Sequence, residues 1–265
     1  MLRTISLIIL ILINFIPLYS QLYDATPCSF GNRNNSSNSN LESLTSNNLK
    51  KFDLWEQSGK DYPNYYSNWT SSILKPEGVP PKKQISFNID GLGKETVYTK
   101  EYISYTCKYS PAAAFDNNTG TAWSEGVEGD GIGKYIFAKI DITKPIKIWN
   151  GFGKNENLYY KNNRVKDSTI YIFVSKCNSH ADNARAYHNF FFIDKFRFTL
   201  QDLNSFQEIK VPNSISEYFK KIHNEAQDSK ECGNESNYTS FIAIQIDSVY
   251  KGSSYSDTLI TEIKN

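Results

Sequence analysis

From about residue 85 the chain alternates apolar and polar residues at every second position, the period of a strand with one buried face. In YIFAKIDI, residues 135–142, Ile136, Ala138, Ile140 and Ile142 fall on one side, and Tyr135, Phe137, Lys139 and Asp141 on the other. The same alternation runs through TIYIFVSK (169–176), KFRFTLQD (195–202), FQEIKV (206–211) and SFIAIQIDSV (240–249), with turn-forming Pro, Gly, Asn and Asp between them. One segment has the period of a helix instead. Ser214 and Glu217 form an S-x-x-E capping box, and Ile215, Tyr218, Phe219 and Ile222 share one helical face. Many short strands and a single inserted helix predict an all-β sandwich or jelly roll over residues 85–265, and about 180 residues is ample for one such core.

The chain before residue 85 is different. Residues 1–20 have a cationic start at Arg3 and an apolar run from Leu7 to Ile13, interrupted by Asn14 and Pro17, too short for the roughly 20 apolar residues of a membrane span. They read as a secretory signal peptide cleaved near Ser20, and the chain beyond as exported and soluble: secreted or extracytoplasmic, in the periplasm or at the cell surface of a bacterium. Residues 21–50, with NRNNSSNSNLESLTSNN, are too polar to bury a core and read as a disordered linker. Residues 51–84 mix aromatics with turn formers and end in KPEGVPPKK; they read as an irregular extension, and Trp55 and Trp69 favour packing on the domain that follows.

Charge and cysteines narrow the chemistry. With 29 basic and 28 acidic residues there is no electrostatic footprint for nucleic acid. Cys28, Cys107, Cys177 and Cys232 all follow the leader, and an even count in an exported chain favours disulfides. Three pairings are open; Cys177 with Cys232 is favoured, since both end strand-like runs in the C-terminal half. No cysteine pair has CxxC spacing, and His180, His188 and His223 form no zinc motif.

Two loop stretches concentrate Gly, Asn, Asp and Glu: FDNNTGTAWSEGVEGDGIGKY (115–135) and NGFGKNENLYYKNNRVKD (150–167). Together with DSVYKGSSYSDTLITEI near the C-terminus, in this order, they resemble the NADase-type glycan-binding domain. That is a discoidin-like module of the galactose-binding-like jelly rolls, akin to coagulation-factor C-type domains and also described as the translocation domain of secreted NAD glycohydrolases. The resemblance spans about residues 100–263. It implies a jelly roll of two antiparallel sheets with a ligand site in the loops at one end. It does not imply NAD glycohydrolase activity, which in such proteins belongs to a separate domain.

Two sites carry over from the resemblance. The first is a structural calcium site, with Asp116, Asn118 and Thr121 in the loop Asp116–Thr121 and Glu262 near the C-terminus; related loops carry Gly where this chain has Asn117, and the competing reading is an ion-free Asx turn. The second is a ligand cleft of Trp123, Glu125, Asn150, Tyr160, Asn163 and Arg164, in which Trp123 or Tyr160 stacks on a sugar ring and the others hydrogen-bond its hydroxyls. The competing reading places Trp123 in the core and pairs Arg164 with Glu125. The expected function is a secreted, non-catalytic carbohydrate-binding module at a cell or matrix surface, with no organic cofactor and a glycan or glycoprotein partner. The alternative is a protein–protein adhesion or scaffold module using the same loops. A hydrolase would rest on Glu125, Glu128 and Asp130 as paired carboxylates, but no catalytic motif accompanies them; GDGIG (129–133) leads into a strand where a dinucleotide fingerprint needs a helix.

Overall fold

The computed structural model describes residues 54–59, 62–67, 70–89, 93–181, 184–226 and 238–265, together with Thr45 in a turn. The leader at 1–20, Trp69, Cys28 and Cys232 lie outside the described residues, as does the 21–50 linker apart from Thr45. The architecture is the expected all-β, discoidin-like sandwich. One sheet has six strands in the order β2 (Tyr62–Ser67), β1 (Leu54–Gly59), β10 (Ala184–Thr199), β9 (Asp167–Ala181), β12 (Thr239–Ile246), β6 (Tyr135–Lys139). The second runs β11 (Phe206–Ile209), β7 (Ile146–Asn150), β14 (Thr258–Lys264), β8 (Asn163–Val165), β13 (Val249–Tyr250), with β5 (Trp123–Ser124) also paired to β14. A separate hairpin joins β3 (Gln84–Ile89) to β4 (Gly93–Tyr98).

The inserted helix is present as α3, Asn213–Ala226. It starts one residue before Ser214, with Ser216 N–H bonded to the Pro212 carbonyl, so Ser214 lies inside it. Ile215 and Phe219 face the core and Ile222 packs against it, whereas Tyr218 points outward. Two further helices were not expected. In α1, Lys100–Cys107, the Thr99 hydroxyl accepts from Tyr102 N–H at 3.2 Å and caps a first turn rich in β-formers. In α2, Glu156–Lys161, Asn155 Oδ1 accepts from Leu158 N–H at 2.9 Å. A 3₁₀ turn, Pro111–Ala114, follows α1.

The aliphatic core lies between the sheets. Ile136, Ala138, Ile170, Ile172, Val174, Ile242 and Ile244 of the first sheet meet Ile146, Ile148, Val165, Ile209, Ile260 and Ile263 of the second, with Trp123 at one end. The other face of the first sheet was expected to be open, yet it is also buried. Tyr135, Phe137, Tyr171, Phe173, Tyr187, Phe190 and Phe241 form a second, aromatic core, with edge and tilted ring contacts at 5.0–5.5 Å and Tyr171 stacked on Phe173 at 6.5 Å. Asn189, at φ 54°, sits between Tyr187 and Phe190 and lets rings three residues apart reach the same side of β10.

The segment expected to be irregular instead supplies strands that extend the sheet carrying this second core. β1 pairs with β10 at one end of the sheet, Leu54 opposite Tyr187, while Thr70 bridges to Ile136 of β6 at the other end. A flat six-stranded sheet separates its outer strands by about 24 Å at about 4.8 Å per strand. The short step from Ser67 to Thr70 reaches at most about 11 Å. The sheet must therefore curl until its two edges nearly meet, around the face turned away from the second sheet. Thr70 Oγ1 and Ser71 N–H both donate to the Tyr135 carbonyl, at 2.8 and 2.9 Å, and Tyr135 N–H donates to Ser71 Oγ at 2.8 Å. Onward, Leu74 N–H bonds to the Ser124 carbonyl, the Tyr105 hydroxyl donates to Pro76 O at 2.9 Å, and Glu77 pairs with Lys108 at 2.8 Å. Residues 70–77 thus run as a strap from β6 past β5 to α1.

Candidate functional site

The loops around residues 123–133, 150–164, 200–204 and 247–258 are linked by one polar network. Asn163 Nδ2 donates to Asp130 Oδ1 at 2.9 Å and to Ser256 O at 2.7 Å, and Asn163 Oδ1 accepts from Gly252 N–H at 2.7 Å. Thr258 Oγ1 donates to the Asp130 carbonyl at 2.7 Å, and Lys251 pairs with the Asp130 carboxylate. That ammonium, with the Asn163 amide, holds the Asp130 carboxyl below its usual range.

Arg164 anchors the network. Its Nε and Nη2 donate to both oxygens of Asp202 at 2.9 and 2.7 Å, a bidentate pair, and Nη1 donates to Asn162 O and Lys251 O. The guanidinium also lies 5.3 and 5.4 Å from the ring centres of Tyr159 and Tyr160. Gly151, at φ 68°, makes room for this packing: a Cβ there would sit 2.4 Å from Arg164 Cγ. The partner of Arg164 is Asp202, neither a ligand nor the Glu125 of the competing reading. The sequence around Asp202, LQDLNS, carries no signal of that role, because the pair is created only when the Asp202 turn folds against β8.

Glu125 is buried, its Oε2 accepting from Val127 N–H at 2.7 Å and Oε1 from Thr258 N–H at 3.1 Å. Burial raises its pKa, with a smaller push from the Asp257 charge, against the pull of those two amides. Gly131, at φ 68°, is needed beside it, since a Cβ there would come within 2.4 Å of the carboxyl carbon. Asn150 is buried and closes the start of its loop: Nδ2 donates to Val165 O at 2.7 Å, and Oδ1 accepts from Val165 and Gly151 N–H. Trp123 is fully buried in the aliphatic core, with Nε1 donating to Ser72 O at 3.0 Å. Five of the six expected cleft residues, Trp123, Glu125, Asn150, Asn163 and Arg164, are therefore framework. Their polar atoms are spent on the loops they hold, and they do not line an open cleft.

Tyr160 differs. It is 49% exposed, one side of its ring against Arg164 and its edge on Tyr159. Ser253 N–H bonds to the Tyr160 carbonyl, and Tyr255 N–H to the Lys161 carbonyl at 2.8 Å, so the 253–255 loop is tied to α2 and brings Tyr255, 52% exposed, to the same neighbourhood. Leu203, next to Asp202, and Ile132, near Asp130, are exposed as well. The buried network is a rigid base under exposed aromatic and aliphatic side chains.

The expected ion-binding residues also come together. Asp116 Oδ1 accepts from Asn118 N–H at 2.8 Å, and Thr121 Oγ1 lies 2.8 Å from both Asp116 Oδ2 and Asn118 O. Asn118 Oδ1 accepts from Gly120 N–H at 2.9 Å. Asn117 takes φ 57°, the left-handed conformation for which Gly is the usual choice. Glu262, on β14, is buried, and its Oε2 has no hydrogen-bond partner. Burial and then the nearby Asp116 charge push its carboxyl up to about 7, against the pull of the Asn117 and Asn118 amides. Asp116 is also raised, by burial. Two desolvated carboxylates beside a turn of carbonyl and amide oxygens is a hard-oxygen donor set. Among the described residues no group of three His, Cys, Asp or Glu that could hold a metal ion gathers.

Neither described cysteine, Cys107 or Cys177, is a free thiol. Among the described residues no helix is long and apolar enough to cross a membrane.

No curated protein and no solved structure matches the chain. Residues 90–265 match the NAD glycohydrolase translocation F5/8 type C domain, and with more than half of the chain covered, this protein belongs to that family.

Proposed function

We propose that the chain is a secreted, non-catalytic carbohydrate-binding module acting at a cell or matrix surface. The observation that carries this reading is the half-exposed Tyr160 ring, fixed from behind by Arg164 and flanked by the exposed Tyr255. A sugar ring presents C–H groups on its faces, and an aromatic ring already held in place loses little entropy on stacking. Asn163, Arg164, Asn150, Glu125 and Trp123 serve it from below by fixing the loops. Family membership supports a binding or translocation role, and two of the three carboxylates weighed for hydrolysis are committed, Glu125 to two backbone amides and Asp130 to Lys251 and Asn163, while Glu128 is exposed.

The test is a glycan array with the exported chain, beside Tyr160→Ala. Binding that falls tenfold or more in Tyr160→Ala, with an unchanged melting temperature, supports the reading. A blank array from folded protein removes it. The exposed Ile132 and Leu203 favour the second reading, a protein partner gripped by the same loops. Capture that free oligosaccharides cannot compete, and that Leu203→Asp abolishes, would select it.

Calcium is part of the proposal as a structural ion held by Asp116, Asn118, Thr121 and Glu262, with its charge offsetting the two carboxylates. Titration calorimetry with calcium after chelation should show one site in the wild type and none in Glu262→Gln. The leader at residues 1–20 and a Cys177–Cys232 disulfide complete the picture of an exported chain; intact-mass and peptide mapping of the secreted product checks both.

A further inference from the structure

A groove of about 710 Å³ opens between α1, the 3₁₀ turn, the Asp116 loop and the 152–154 turn. That volume lies within the range of small-ligand sites. Its floor is small and apolar: Ile103, Ala112, Ala113 and Ala122 are all buried. Phe152 borders it, half-buried, and exposed Lys100 and Lys154 stand on different walls, one at the start of α1 and the other on the turn after β7. The lysines along this groove are not equivalent. Lys108 is neutralised by Glu77 at 2.8 Å, and the Tyr109 hydroxyl is held by the same carboxylate. Neither Lys100 nor Lys154 has a carboxylate partner among the described residues. Asp116, the acid on the groove wall, turns its oxygens to Asn118 N–H and Thr121 Oγ1.

An apolar floor between two unneutralised ammonium groups matches a ligand with a flat C–H face and an anionic edge. We propose that this groove binds an acidic saccharide unit, one bearing a carboxylate or a sulfate ester. The ring lies on the alanine floor against Phe152, and the anion lies between Lys100 and Lys154. This site deepens the carbohydrate-binding reading and rests on it. It is separate in its residues from the Tyr160 surface.

The experiment titrates the full chain, by calorimetry, with an oligogalacturonate, a sulfated disaccharide and a neutral oligosaccharide of equal length. Wild type is compared with Lys100→Gln/Lys154→Gln and with Tyr160→Ala. Both lysines are exposed, so the double variant should keep its melting temperature, which is measured alongside. The expected result is that at least one acidic ligand binds tenfold or more weaker to the lysine variant, keeps most of its affinity in Tyr160→Ala, and loses affinity as salt rises. If saccharide binding is lost in Tyr160→Ala and unchanged in the lysine variant, the groove assignment is overturned while the carbohydrate-binding reading stands. If no saccharide, neutral or acidic, binds the folded chain, both are overturned.

Discussion

One face of the six-stranded sheet is filled almost entirely by Ile and Val, the other by Phe and Tyr. The aliphatic core is a conventional sandwich interior: short branched side chains from two facing sheets interdigitate at a fixed spacing. Among the described residues the aromatic core has no second sheet opposite it. It is made by one sheet curling on itself, where a smaller number of large rings spans the wider interior. The first lies within residues 90–265, the stretch that defines the family; the second is closed by Thr70, Ser71 and the strands before them, outside that stretch. A family boundary drawn on sequence similarity therefore cuts through a packing unit of this chain.

The largest test of this contrast uses neighbours on β9. Phe173→Ala empties the aromatic side and should cost about 3–5 kcal/mol, while Ile172→Ala, facing the other way, should cost about 2–5 kcal/mol. Both are read by denaturant unfolding. A loss below about 1 kcal/mol for Phe173→Ala would mean that the second core does not behave as a core. Next is a pH signature carried on the aromatic side by Tyr135. Burial pushes the Tyr135 phenol up to about 12, from about 10 when unfolded. The native state favours the neutral phenol, so this contribution is complete below pH 10 and disappears as pH rises from 10 to 12. It is worth roughly 2–3 kcal/mol. Wild type should lose that much more stability than Tyr135→Phe across the window; parallel curves would refute it.

A smaller effect joins the two regions. Trp123→Phe keeps a ring in the aliphatic core but removes the donor to the Ser72 carbonyl on the strap, and should cost about 1–3 kcal/mol. The smallest is Thr70→Val, which deletes one hydrogen bond to Tyr135 O at the closing seam, about 0.5–1.5 kcal/mol. It should speed exchange of amides in β6 more than of those in β7. Equal acceleration in both strands would show that the seam is not specific to the curled sheet.

The long alternating runs at 135–142, 169–176, 195–202 and 240–249 were legible because period-2 patterning over many residues has no other reading, and they became β6, β9, β10 and β12. What alternation hid is that Tyr135 and Phe137 are as buried as Ile136 and Ala138: in an antiparallel sheet the aromatic side reads as the solvent side unless a cover is known. β5, β8 and β13, of two or three residues, are too short to show any period, and α1 was masked by the strand-forming Tyr, Ile and Thr in KEYISYTC. At the site, the sequence grouped residues that do lie in one loop system. It did not separate Tyr160, which is exposed, from Asn163 and Arg164, which are buried a few positions away. That distinction depends on Asp202 and Asp130 arriving from distant turns.

β14 occupies the middle of its sheet, between β7 and β8 and also against β5. It is the final strand of the sequence, Thr258–Lys264, while its partners lie near residues 123, 148 and 164. The strand at the centre of this sheet follows all of its partners in sequence, so its pairings wait on loop closures of high sequence separation. A sheet closed in this order should form later than the β9–β10 pair, whose strands adjoin in sequence.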